Sequence, residues 1–122
     1  MKPEELQIYD WVLINDTPHQ VKQITQKKVG YHKVPYSLDY ARLVEVKPIP
    51  ITAEILEMHG FEKEYYYYNL YKENGGHLQY YPHGWRLDRW YKDDILFRCN
   101  CHYVHQLQQA FRLCGIDKRI KL

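Results

Sequence analysis

Serine occurs only at Ser37, and glycine and proline occur six times each, so the chain lacks the composition of a linker, a collagen or a low-complexity tract. Cysteine is scarce and odd in number: Cys99, Cys101 and Cys114. Three thiols and no signal peptide predict a reduced setting without a disulfide framework. Long hydrophobic runs are missing too. The longest, such as Trp11–Ile14, fall far below the roughly 20 residues of a membrane span. The charged start Met1-Lys2-Pro3-Glu4-Glu5 leads into no apolar stretch of leader length. These absences predict a soluble cytoplasmic protein with no membrane partner. Charge of one sign is also lacking: 17 Lys and Arg against 15 acids give +2, short of a nucleic-acid coat. Only acid would change that, since protonating all seven histidines raises the formal charge to +9.

What is present is tyrosine. Thirteen of them, with three Phe and three Trp, bring the aromatic content to 16%. A tyrosine ring has a flat stacking face and a polar tip, which suits half-buried strands and ligand-contacting surfaces alike. A length of 122 residues predicts one domain spanning 1–122, burying about two-thirds of its unfolded surface.

The order of patterns predicts an α+β fold. Residues 6–14 lead to the turn cluster Asn15-Asp16-Thr17-Pro18, and residues 19–24 alternate, which predicts a hairpin. Lys27-Lys28-Val29-Gly30 predicts a second turn, with strands over 31–34 and 40–46, making a small curled N-terminal antiparallel sheet. Pro48-Ile49-Pro50 is a rigid connector. Thr52 then caps a short helix carrying Glu54 in its first turn, and Gly60 ends it with Phe61 folded back on Leu56. The aromatic block reads as a meander over 63–72, 77–81 and 85–91, turning at Glu73-Asn74-Gly75-Gly76 and Pro82-His83-Gly84. Lys92-Asp93-Asp94 turns the chain again. Asn100 is the expected cap of a C-terminal amphipathic helix, with Val104, Leu107, Phe111 and Cys114 on one face and His105, Gln108, Gln109 and Arg112 largely off it. Residues 117–122 alternate as a final edge strand would.

Catalytic patterns are weak. Cys99-x-Cys101-His102-x-x-His105 offers four zinc-ligand types, but a structural site needs a second, separately placed pair, and none exists. The expected reading is a helix start with surface histidines and small buried thiols, holding no metal and no cofactor. Cys101 near a helix start and histidines lacks a nucleophile signature, Ser37 has no elbow glycines, and no glycine-rich phosphate loop occurs. The sequence therefore predicts no enzyme; a metal- or thiol-dependent one would centre on the same four Cys and His residues.

The strongest candidate for recognition is the aromatic and basic strand pair. Strict alternation over 85–90 places Trp85, Leu87 and Arg89 on one face and Arg86, Asp88 and Trp90 on the other. For a small nucleotide-type ligand, Tyr80, Tyr81, Trp85 and Trp90 are the ring candidates and His83, Arg86 and Arg89 the anion partners. Asp88 would pair with Arg86, which leaves Arg89 as the expected free cation. The competing reading makes these rings the core of a twisted sheet, because a small sheet must bury one whole face.

Three stretches carry a resemblance. Leu6-Gln7-Ile8-Tyr9-Asp10-Trp11-Val12, then Pro48-Ile49-Pro50-Ile51-Thr52-Ala53-Glu54-Ile55-Leu56 with Gly60-Phe61, then Tyr103-Val104-His105-Gln106-Leu107-Gln108, occur in this order. In them the chain resembles a family of small uncharacterised proteins encoded by Bacteroidetes phages, prophages and mobile elements, departing from its pattern at Tyr9-Asp10 and in its cysteines. The resemblance brings no catalytic residues. It implies an accessory binding protein in the bacterial host cytoplasm, countering host defence by sequestering a nucleotide-type signal or blocking a defence protein. Nucleic acid bound weakly on a basic-aromatic sheet is the alternative, and a homo-oligomer is compatible with either.

Overall fold

Asn15 and Asp16 close the first hairpin with φ of 51° and 61°, the positive values of a two-residue type I′ loop. Their short polar side chains tolerate that region better than most. The loop joins β1 (Trp11–Ile14) to β2 (Thr17–Ile24), so Thr17 and Pro18, expected in the turn, already belong to the strand. In this computed structural model, which describes residues 1–71, 76–116 and 119–122, the chain divides into two compact units. One comprises Met1–Pro50 with Tyr103–Leu122, the other Ile51–His102.

The first unit holds a five-stranded antiparallel sheet in the order β4-β3-β2-β1-β5, with β3 (Lys28–Val34), β4 (Ser37–Arg42) and β5 (Val46–Lys47). Several boundaries differ from expectation. Residues 6–14 are not one strand: Pro3–Glu5 form a 3-10 turn, and Tyr9 at φ 74° breaks the extended run before Trp11. The second turn lies at 25–27 rather than 27–30, because the Thr25 hydroxyl accepts from the Lys28 amide at 3.0 Å. Gly30 is a strand residue. A Cβ there would come within 3.0 Å of the Gln23 Cβ and 3.3 Å of the Tyr40 ring, so glycine allows these neighbours to close over it. The strand expected over 40–46 is broken by a 3-10 turn at Leu43–Glu45 that buries Leu43 and exposes Val44. Leu6, Val12, Ile14, Val21, Val29, Tyr31, Ala41, Leu43 and Val46 form the sheet's core.

The C-terminal helix α2 (Val104–Leu113) belongs to the same unit. Its cap is Tyr103, not Asn100: the Gln106 side chain reaches back to accept from the Tyr103 amide at 3.1 Å. It ends at Gly115 (φ 67°), where Ile116 N–H donates to Phe111 O at 2.8 Å and Gly115 N–H to Arg112 O at 3.1 Å, a Schellman ending. Val104, Leu107 and Phe111 are buried as expected, but so are His105 and Gln108. Gln108 earns its burial by hydrogen bonding: it accepts from the Trp11 amide at 2.8 Å and donates to Tyr9 O at 3.0 Å, standing in for a strand beside β1. Fully buried Asp10 accepts from the Gln7 amide (2.8 Å), Gln109 Nε2 (2.8 Å) and Arg112 Nη1 (2.7 Å). Residues 119–122 form no strand, and Trp11 Nε1 donates to Ile120 O at 2.7 Å; 117 and 118 lie outside the described residues.

In the second unit, α1 (Ala53–Met58) begins at Thr52, whose hydroxyl accepts from the Ile55 amide at 3.2 Å. It ends as expected: Phe61 N–H donates to Leu56 O at 3.0 Å, Gly60 has φ 90°, and Leu56 and Phe61 are both buried. The meander has five strands rather than three, in the order β10-β9-β8-β7-β6: β6 (Glu62–Lys63), β7 (Tyr68–Tyr71), β8 (Gly76–Tyr81), β9 (Arg86–Tyr91) and β10 (Asp94–Asn100). The strand expected over 63–72 is interrupted by bends at 65–67. Of the turn expected at 73–76, residues 73–75 lie outside the described residues and Gly76 opens β8. The architecture is α+β: among the described residues, two antiparallel sheets with two α-helices. Among the described residues no helix is long and apolar enough to cross a membrane.

Candidate site on the open face of the meander

Register decides which side of the meander is buried. Tyr80 stands opposite Tyr68 and Leu87, and Leu78 opposite Leu70 and Arg89. This side carries Leu78, Tyr80 and Leu87 at no more than 1% exposure, so it is the core face. Gln79 stands opposite Asn69 and Asp88, Tyr81 opposite Arg86, and His77 opposite Tyr71 and Trp90. That side is the more open face: Tyr71 is exposed and His77, Gln79, Tyr81, Arg86 and Trp90 are half-buried, although Asn69 and Asp88 are buried.

Asp88 sits at its centre with no exposed surface. Arg98, directly opposite on β10, holds both carboxylate oxygens, Nε to Oδ1 at 2.9 Å and Nη2 to Oδ2 at 3.2 Å. This bidentate fork is the strongest geometry an arginine offers a carboxylate. Arg86 Nε lies 3.3 Å from the same Oδ1, and its guanidinium stacks 4.3 Å over the Tyr81 ring. Tyr66 and Tyr67 flank Tyr81 with ring centroids 6.2 and 5.4 Å away. The Tyr81 hydroxyl donates to Gln79 Oε1, and burial raises its phenol above 10, with Arg86 opposing. Further along, His77 lies parallel to Trp90 at 6.1 Å. Burial lowers the His77 pKa, so the imidazole stacks as a neutral ring at pH 7.

Arg86 and Trp90 therefore share one face, as expected, and Tyr81, which the sequence assigned to neither face, joins them. Four other residues proposed from the sequence do not join them. Tyr80 is core, its hydroxyl donating to Cys101 O at 2.9 Å. Arg89 is not the free cation of the open face: alternation places it beside Leu78 and Phe97, with Nη1 buried and without a hydrogen-bond partner. Trp85 is not on the strand, because at φ 54° it completes the turn with Gly84 (φ 97°); its ring stacks on His102 at 5.1 Å. His83 is exposed in that turn. The pairing of Asp88 with Arg86 is present, and Arg98 adds to it. Sequence reasoning missed Tyr66, Tyr67, Gln79, His77 and Arg98. Arg98 became visible only once Ile95-Leu96-Phe97 proved to be part of a strand.

Cys99, Cys101 and His102 lie in the second unit and His105 in the first. Cys101 is fully buried, and burial beside Cys99 pushes its thiol far up, away from the thiolate a nucleophile needs. His105, expected at the surface, is buried in α2 and stacks on Tyr103 at 5.9 Å. Among the described residues no three His, Cys, Asp or Glu side chains gather as metal ligands would. Comparison with protein-family models, curated proteins and solved structures finds no match to this chain.

Proposed function

We propose that this protein is a non-enzymatic binding protein of a phage or mobile element, which acts in the bacterial host cytoplasm by docking the open face of its meander onto a host defence protein. The observation that carries the reading is the charge-compensated centre of that face. Arg86 and Arg98 flank the fully buried Asp88, and rings surround them. Tyr, Trp and Arg dominate the energy of protein interfaces, because they combine large contact area with directed hydrogen bonds. The bidentate hydrogen bond fixes Arg98, and the ion pair with Asp88 and the stacking on Tyr81 restrain Arg86, which reduces the entropy lost on docking.

A nucleic-acid partner is the weaker reading. Asp88 cancels one of the two guanidinium charges, and a formal net charge of +2 gives phosphates little to bind. The resemblance noted in the sequence supports the phage or mobile-element setting.

Native mass spectrometry after incubation with a Bacteroidetes lysate tests the proposal. The expected result is a retained protein partner, lost from the Tyr66→Ala/Arg86→Ala variant verified as folded by circular dichroism. Retention of nucleic acid alone, or of a protein that the variant keeps equally well, contradicts it.

A further inference from the structure

The first unit carries a cavity of ≈ 530 Å³, within the usual range for small-molecule sites. Lys22, Arg112, Arg119 and Lys121 line it, and among its described lining residues there is no carboxylate. Arg112 is already matched by Asp10 at 2.7 Å, so the positive surplus rests first on Lys22 and Arg119. The same cavity presents two rings, Tyr9 and Trp11. Trp11 is fixed through its Nε1 bond to Ile120 O, and the Lys22 ammonium stands 4.8 Å from the Tyr9 ring centroid.

Tyr9 is the unusual member. Its φ of 74° is a conformation that L side chains rarely adopt and that strains the backbone by roughly 1–2 kcal/mol. Three hydrogen bonds hold it there: its amide donates to Val21 O at 2.7 Å, and its carbonyl accepts from Gln108 at 3.0 Å and Gln20 at 3.3 Å. The result is an aromatic ring, 57% exposed, where glycine would fit without strain. Strained residues held by hydrogen bonds cluster at ligand-binding sites, which directs attention to this wall of the cavity.

We infer that this cavity is a second binding site, independent of the meander face, and that it takes a nucleoside phosphate. Lys22 and Arg119 bind the phosphate oxygens, and Tyr9 stacks on the base. The two charges call for a ligand with more than one phosphate oxygen group, and the adjacent ring calls for a flat heterocycle.

Isothermal titration of the full chain with ADP, pyrophosphate and adenosine in magnesium-free buffer tests the inference. ADP is expected to bind saturably, with pyrophosphate and adenosine each weaker by at least about tenfold. Lys22→Ala and Arg119→Ala should each weaken ADP by about tenfold or more. Tyr9→Gly removes the ring and relieves the strain together, so it should lose ADP while its melting temperature holds or rises. Absence of saturable ADP binding up to about 5 mM overturns the inference, since that limit already allows a very weak site. Pyrophosphate binding as tightly as ADP, or wild-type ADP affinity in all three variants, overturns it equally.

Discussion

Arg98 grips Asp88 with two parallel hydrogen bonds, 2.9 and 3.2 Å, across the β9–β10 pair, although Asp88 has no exposed surface at all. A carboxylate that deep is tolerated only because its oxygens are answered. Asp88→Asn removes the charge and leaves Arg86 and Arg98 facing a neutral amide. It should lower the unfolding free energy by about 2–3 kcal/mol, read by urea denaturation. The exposed turn residue Asp93 is the control, and Asp93→Asn should change stability by less than about 0.5 kcal/mol. Equal effects of the two substitutions would show that Asp88 is not the anchor of this face.

Tyr80 is core despite its polar tip. Tyr80→Phe keeps the ring and strands the Cys101 carbonyl, so it should lose about 1–2 kcal/mol of stability. Partner binding should be unaffected in the folded variant. A binding defect without a stability change would place Tyr80 in the recognition surface instead.

The α2 stripe predicts a harsher outcome. Leu107 has no exposed surface, and Leu107→Asp puts an unpaired charge there. The variant should be unfolded or aggregated by circular dichroism and gel filtration; a wild-type melting temperature would refute the packing described.

Acid should weaken the fold through His105. Burial lowers its native pKa below the ordinary 6.5, with Asp10 and Glu5 opposing. Above about pH 6.5 neither the folded nor the unfolded chain is protonated there, and stability is intact. As pH falls below that value the unfolded chain takes up the proton first, so stability declines until the native pKa is passed. His77, also lowered by burial, acts in the same direction. Urea titrations between about pH 7.5 and pH 5 should show the decline, and His105→Leu should flatten it in part. Identical slopes in wild type and variant would contradict this assignment.

The sequence disclosed what local chemistry decides. The α1 cap at Thr52 and the Schellman ending at Gly60-Phe61 need only neighbouring residues, and both stand as read. The Leu107 stripe was legible for the same reason. The cap of α2 was not, because Asn100 is drawn into β10 by pairing with Arg86 and the cap passes to Tyr103. Buried Gln108 looked like a surface residue because its partners, the backbone at Tyr9 and Trp11, lie almost a hundred positions away. The site was half legible. Alternation correctly separated Arg86 from Arg89, yet which face is open depends on Tyr68, Leu70 and Leu78 across two registers. Trp85 escaped the alternation through a single positive φ.

Recognition through the Arg86 side of β9, and not the Arg89 side, is the claim on which the account rests. The most direct measurement is the dissociation constant of the captured host protein for wild type, Arg86→Ala and Arg89→Ala, each verified as folded. Arg86→Ala should weaken binding by about tenfold or more, and Arg89→Ala should leave it within about twofold of wild type. The reverse order, or no loss with Arg86→Ala, would contradict the account.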